Sequence, residues 1–86
     1  MMAGTKLLLE TLRLADGGRV VCEVSAPDGS RAVSVIEASF FEEFIGGPKA
    51  EMTPQRQSRI VRENMGYLES EAERLWRQGA RELVIR

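Results

Sequence analysis

The sequence predicts a single α+β domain over residues 1–86, in which a small antiparallel sheet is covered on one face by one short and one long helix. Three observations predict this fold. Before residue 37, runs of strand length are separated by two tight-turn sequences, which is typical of consecutive antiparallel strands. After residue 53, apolar residues repeat every three or four positions, as in an amphipathic helix. A short apolar run closes the chain, so the predicted order of elements is β-β-β-α-α-β.

The composition is that of one globular domain without the usual groups of an active site. The chain has 86 residues, which are too few for two separate cores. Its 13 acidic and 12 basic residues leave a net charge of −1, so its overall field does not attract nucleic acid. Histidine, the commonest general base and metal ligand, is absent, and the lone Cys22 excludes an internal disulfide and a cysteine-cluster zinc site. We therefore expect no enzymatic activity, no metal and no cofactor.

The first predicted strand runs from Thr5 to Leu14, where apolar and polar residues alternate imperfectly. Leu8, Leu12 and Leu14 have the same parity, so they are expected on one face of the sheet. Leucine and glutamate also favour helix, and a helix over residues 7–12 is the alternative for this segment. The length of the segment fits both, and the strand is the preferred interpretation.

Two turn sequences divide the following residues into strands. Asp16-Gly17-Gly18 supplies residues that accept a positive φ, as a tight hairpin turn requires. Pro27-Asp28-Gly29-Ser30 combines a proline that fixes φ with two residues that tolerate the left-handed region. The strand residues are Val20, Val21, Cys22 and Val24 before the second turn, and Ala32, Val33, Val35 and Ile36 after it. Because Cys22 lies inside a strand, we expect it to be a buried, unreactive thiol.

A short helix is predicted after the third strand. Ser39-Phe40-Phe41-Glu42 has the spacing of a capping box, in which the serine and the glutamate satisfy backbone N–H groups of the first turn. Gly46-Gly47-Pro48 ends the helix, because glycine takes the left-handed terminal position and proline does not continue a helix. The side chains expected in the core are Phe40, Phe41, Phe44 and Ile45. This helix therefore provides the main aromatic part of the core.

The long helix is predicted from Thr53-Pro54 to Gly79. Thr53 is the expected N-cap with proline at the first helical position, and Gly79 ends the helix. Gly66 either lets another backbone approach or marks a kink. The stripe expected to face the core consists of Val61, Met65, Leu68, Ala72 and Leu75, with Trp76 beside it. Because such a helix is longer than the strands of a small sheet, its polar first turns, Pro54 to Arg59, are predicted to overhang the sheet.

The order of elements and one helical segment resemble a known family. The segment from Val61 to Leu75 reads VRENMGYLESEAERL and precedes a closing strand; a hairpin and a short phenylalanine-bearing helix come before it. From about Val20 to Ile85, this arrangement resembles the small bacterial proteins catalogued as domain of unknown function 1488. The chain has Asn64-Met65 where members of that family tend to carry a His-Arg pair. The resemblance implies a small α+β fold and no established activity.

Three arginines near the start of the long helix, Arg56, Arg59 and Arg62, form the candidate anion-binding site. Guanidinium groups near exposed backbone N–H groups can receive a phosphate or a carboxylate. The alternative is a solvated helix face stabilised by ion pairs. The pairs with the required i,i+4 spacing are Arg59–Glu63 and Glu73–Arg77. No aromatic residue lies between the arginines to stack on bases, so nucleic acid is not the expected partner.

The long helix also offers a candidate surface for self-association. A chain of this size buries only about 60–65 % of its unfolded surface, so its own core is small. The residues expected to stay uncovered, and to be buried between two copies, are Ile60, Val61, Met65 and Tyr67. The preferred function is therefore a non-catalytic interaction or regulatory module that forms a homodimer or binds another protein. Weak binding of anions or nucleic acid through the three arginines is the alternative.

The sequence also predicts a location. The apolar run from Leu7 to Leu9 ends at Glu10, and it is shorter than the run of about 7–15 residues in a secretory signal. A membrane-spanning helix needs about 20 apolar residues. We therefore expect a cytoplasmic protein with no membrane partner.

Overall fold

A computed structural model describes residues 4–42 and 53–86 of the chain. Its elements are β1 (Lys6–Leu7), β2 (Arg13–Ala15), β3 (Arg19–Ser25), β4 (Arg31–Ile36), α1 (Ala38–Glu42), α2 (Pro54–Glu63), α3 (Met65–Arg77) and β5 (Glu82–Ile85). The five strands form one sheet, and the helices pack against it. The predicted α+β fold is confirmed.

The sheet is mixed rather than antiparallel. Its strands lie in the order β1-β3-β4-β5, and β2 pairs with β3 beside β1. The pairs of β3 with β1, β2 and β4 are antiparallel, as predicted, but β5 runs parallel to β4. The prediction of an antiparallel last strand is therefore wrong. The described helices α1, α2 and α3 belong to the long crossover that a parallel pair requires, which returns the chain to the end of the sheet where β4 begins.

One edge of the sheet is a strand interrupted by a 3₁₀ turn. β1 and β2 both pair with β3, and the turn over Leu9–Thr11 lies between them. The segment is therefore neither one continuous strand nor the alternative helix. The turn shifts the alternation of side chains, because Leu7 lies opposite Val24 and Leu14 lies opposite Val20, so an odd and an even position share the face that carries the core. Leu7 is buried in the core, whereas Leu14 is 47 % exposed.

The Thr11 side chain bridges this interruption. Its hydroxyl donates to the carbonyl oxygen of Leu8 at 2.7 Å and accepts from the backbone N–H of Glu23 at 2.9 Å. The N–H of Leu8 in turn donates to the carbonyl of Glu23 at 2.9 Å. The hydroxyl thus accepts from the Glu23 N–H at the point where the turn interrupts backbone pairing with β3.

The two predicted turns are confirmed. Gly17 and Gly18 have φ angles of 78° and 79° between β2 and β3. Gly29 has a φ of 88°, and the carboxylate of Asp28 accepts from the N–H of Ser30 at 2.9 Å. In both turns the glycines therefore adopt the positive φ that the turn sequences predict.

Helix α1 begins two residues earlier than the capping box predicts. The helix starts at Ala38, and the N–H of Phe40 donates to the carbonyl of Glu37 at 3.0 Å, so Ser39 lies inside the helix rather than at its cap. Phe40 and Phe41 are buried, and their rings meet edge to face with centroids 5.4 Å apart. The predicted core residues Phe44 and Ile45 and the predicted stop Gly46-Gly47-Pro48 lie outside the described residues.

The predicted long helix is divided into α2 and α3 at Asn64. Asn64 has a φ of −117° and a ψ of 23°, and its side-chain amide donates to the carbonyl of Ile60 at 2.8 Å. The break lies two residues before Gly66, where a Cβ would meet no other atom within 4 Å. Both ends agree with the prediction, since Thr53 Oγ1 accepts from the N–H of Arg56 at 3.2 Å and Gly79 has a φ of 88°.

The core lies between the helices and one face of the sheet. From the predicted stripe, Val61, Leu68 and Ala72 are fully buried, and the residues that pack partly against them are Met65, Leu75 and Trp76. The predicted overhang of the first turns is wrong at Gln57. This side chain is buried, and its amide donates to the carbonyl of Gly18 at 3.0 Å. Gln57 thereby fastens the start of α2 to the turn between β2 and β3.

The outer edge of β1 is closed by two carboxylates of α3. Glu73 accepts from the N–H of Thr5 at 3.1 Å, and Glu69 accepts from the N–H of Leu7 at 2.9 Å. The spacings match, because alternate strand residues lie about 6.6–6.8 Å apart and one helical turn rises about 5.4 Å. Helix α3 therefore occupies an edge at which another strand would otherwise pair.

The Glu73 contact predicts a loss of stability in acid. The hydrogen bond from the Thr5 N–H, followed by that from Arg77, lowers the pKa of the Glu73 carboxyl below its ordinary value of 4.5. Such a carboxyl stabilises the fold above its unfolded pKa, and this contribution is lost as the pH falls through the folded pKa. Below pH 4.5 we expect the wild type to lose more stability than Glu73→Gln, measured by urea unfolding at a series of pH values.

The matched control is Glu63→Gln, the same change at an exposed glutamate of α2. Its unfolding free energy should follow that of the wild type across the acid range. Parallel curves for the wild type and Glu73→Gln would contradict the role assigned to Glu73.

Candidate functional site

The three predicted anion-binding arginines do not converge on one site. Arg56 and Arg59 line a partly open depression of about 180 Å³ with Ile60 and Glu63, and Arg62 is not part of its lining. Arg56 and Arg59 are three residues apart on α2, whereas Arg62 is six residues from Arg56 and is turned about 120° away from it around the helix. The structure therefore brings two of the three arginines together. It also places the carboxylate of Glu63, the predicted ion-pair partner of Arg59, in the same lining.

The ion pairs predicted on the helices are only partly formed. Glu73 and Arg77 lie 3.2 Å apart, as predicted. Arg59 and Glu63 are not among the ion pairs within the described residues, although both line the same depression. The depression thus presents both signs of charge to solvent, and this arrangement does not select an anion by charge alone.

The predicted self-association surface belongs largely to the core. Ile60 and Val61 are 6 % and 0 % exposed, so the expectation that they are uncovered is wrong. Met65 packs partly against the same core. Tyr67 is 51 % exposed, but its ring stacks on Phe40 with centroids 6.0 Å apart. The apolar stripe of α2 and α3 is therefore used within the domain and does not form a free apolar face.

Cys22 has the environment of a structural thiol. Its sulfur is buried, and it donates to the carbonyl of Leu8 at 3.2 Å. Burial raises the pKa of the Cys22 thiol above its ordinary value of 9.0, although hydrogen bonds with Thr11 and Leu8 act in the opposite direction. A thiol held protonated and away from solvent is a poor nucleophile. The prediction of a buried core cysteine is confirmed.

Groups that bind metals do not cluster in the described part of the chain. No three cysteine, aspartate or glutamate side chains come together there as ligands for an ion. In the same residues, no helix has both the length and the apolar character needed to cross a membrane.

The face of the sheet opposite the described helices carries a row of valines that was not predicted as a site. Val21, Val35 and Val84 lie directly opposite one another on β3, β4 and β5. Val33 lies beside them on β4 and is 38 % exposed. These four residues, Val21, Val33, Val35 and Val84, are called the valine row below. The described helices all pack on the opposite face, against residues such as Val20.

Charged side chains border the valine row. Arg31 and Glu23 form an ion pair at 2.9 Å at one end, and Arg19 and Glu37 approach to 3.8 Å at the other. An apolar centre with a polar rim is the usual anatomy of a protein–protein contact. The signal was present in the sequence, because β3 has adjacent valines at positions 20 and 21 and β4 has Val35 beside Ile36, so apolar side chains point to both faces of the sheet.

The fold and its surfaces define a small α+β protein whose mixed sheet is covered by helices on one face. Comparison with protein-family models, curated proteins and solved structures found no match. The resemblance to domain of unknown function 1488 therefore stays a prediction.

Proposed function

We propose that this protein is a non-catalytic interaction module that binds a protein partner through the valine row. The observation that carries the proposal is the position of Val33, which is 38 % exposed on a face that no described helix covers. Its neighbours Val21 and Val84 are partly exposed and lie on either side of Val35, which is itself only 9 % exposed, so the row continues across three strands. Burying such a surface is favourable by about 25 cal/mol for each Å² removed from water.

The interior of the domain supports a binding role over a catalytic one. Its buried polar side chains are already engaged, since Ser34 donates to the carbonyl of Cys22 at 2.6 Å and Gln57 donates to Gly18. Within the described residues, no buried side-chain nitrogen or oxygen lacks a hydrogen-bond partner. The buried polar side chains of the described residues therefore have structural hydrogen-bonding roles.

Site-specific photo-crosslinking tests this proposal. A photo-reactive amino acid replaces Val33 in the tagged protein, which is expressed in its native cell and irradiated. We expect covalent adducts of defined mass, because a bound partner would lie against this position. The matched control places the same amino acid at Gln55, an exposed residue of α2. Absence of adducts from position 33, or equal adducts from both positions, would refute the proposal.

Anion binding remains the alternative function. Arg56 and Arg59 give it partial support, because they line one depression. Glu63 in the same lining and the separate position of Arg62 weigh against it. We therefore favour the interaction module.

A further inference from the structure

The outer edge of β5 presents a regular set of free backbone groups. The carbonyl of Ile85 accepts from the N–H of Glu37 at 2.8 Å, so Ile85 directs its backbone groups toward β4. Because alternate residues of a strand point in opposite directions, Glu82, Val84 and Arg86 direct theirs away from the sheet. No hydrogen bond to these outward groups occurs within the described part of the chain.

The two edges of the sheet differ in this respect. At β1, the carboxylates of Glu69 and Glu73 in α3 accept hydrogen bonds from the outward N–H groups. At β5, no described side chain does so. An unpaired edge of this kind is a template for another strand. The fold therefore protects one edge and leaves the other available.

We propose that a second copy of this chain pairs with β5, antiparallel and about a two-fold axis at Val84. In this register Glu82 lies opposite Arg86 of the second copy, and Arg86 lies opposite Glu82 of the second copy. Val84 lies opposite its own counterpart. A two-fold axis at Glu82 or at Arg86 would instead place like charges opposite each other, which is unfavourable. Among the registers centred on an outward-directed residue, the charges of this short strand thus favour the one centred on Val84.

The proposed pairing satisfies the outward backbone groups and enlarges the exposed apolar surface. Each of the three opposed pairs exchanges two hydrogen bonds, so about six bonds form between the copies. Because the two-fold axis is perpendicular to the sheet, both uncovered faces lie on the same side. The two valine rows then join at Val84. The inference extends the proposed function, since the dimer would present a partner surface of twice the length.

Charge reversal tests the register. Glu82→Arg and Arg86→Glu each place like charges at both opposed positions, and both side chains are exposed, so the fold should be retained. By sedimentation equilibrium we expect the wild type to reach twice its chain mass of 9.6 kDa at high micromolar concentration. Each single variant should dissociate at least about tenfold more readily, because two attractive cross-strand pairs become repulsive. An equimolar mixture of the two variants should regain the dimer, because the opposed charges are again opposite in sign.

The matched control is Arg62→Glu, the same reversal at an exposed position of α2, which should leave the wild-type association unchanged. Circular dichroism checks that every variant is folded. A wild type that stays monomeric, single variants that associate normally, or a mixture that does not regain the dimer would each overturn the inference. None of these results removes crosslinking at Val33, so a failure of the dimer is distinguishable from a failure of the proposed function.

Discussion

Replacing Leu68 by alanine is expected to lower the free energy of unfolding by about 2–5 kcal/mol. The side chain is 0 % exposed and lies in the core cluster that joins α3 to the sheet. Truncation removes its apolar contacts and leaves a cavity that the neighbouring residues fill only in part. A chain of this length is stable by only about 4–13 kcal/mol, so the variant should be close to unfolding. Urea unfolding followed by circular dichroism measures the change.

Leu14→Ala is the matched control, because it removes the same atoms from a side chain that is 47 % exposed. Its effect should stay within about 0.5 kcal/mol, as is usual for surface positions. Equal losses in the two variants would show that the core does not lie where the structure places it.

Replacing Thr11 by valine is expected to destabilise the fold by about 1–3 kcal/mol. Valine keeps the shape of threonine but lacks the hydroxyl, which accepts from Glu23 at 2.9 Å and donates to Leu8 at 2.7 Å. The N–H of Glu23 then loses its acceptor at the interruption between β1 and β2. The change is measured by urea unfolding.

Thr11→Ser provides the control for this prediction, because serine keeps the hydroxyl and loses only a methyl group. It should cost less than about 1 kcal/mol. If the serine and valine variants were equally destabilised, packing of the methyl group rather than hydrogen bonding would explain the effect.

Several features could be predicted from the sequence because their causes lie within a few residues. The turns at Gly17-Gly18 and Gly29 depend on the conformational freedom of glycine. The start of α2 depends on the hydroxyl of Thr53, and its register follows from the spacing of apolar residues. Each of these signals is complete in the local sequence.

The features that the sequence analysis missed depend on residues that are distant in the chain. The direction of β5 is decided by the path of three helices, and the burial of Gln57 by the carbonyl of Gly18, 39 residues away. The break at Asn64 has a local cause, and a kink at Gly66 is one of the two interpretations of that glycine. In the structure, however, the amide of Asn64 takes up a carbonyl of the preceding turn.

The exposure of the self-association surface also depends on distant residues. Helical spacing placed Ile60 and Val61 correctly on an apolar face, but the spacing does not show how much of that face the sheet covers. The valine row could not be predicted from the sequence, because it depends on the register that places residues of three strands side by side. The three arginines are evenly spaced by three residues, so their spacing alone does not show that Arg56 and Arg59 line a depression from which Arg62 is absent.

The attachment of β1 to α3 has a consequence for the biosynthesis of the protein. The amide groups of Thr5 and Leu7 precede the carboxylates that receive them by 68 and 62 residues. Synthesis proceeds at about 5–20 residues per second, so the N-terminal segment leaves the ribosome several seconds before its helical partner. Until then it can pair only with β3, and its outer edge is open to other nascent chains. We therefore expect the β3–β4 hairpin to form during translation and the N-terminal strand to dock at the end, when the last third of the chain has emerged.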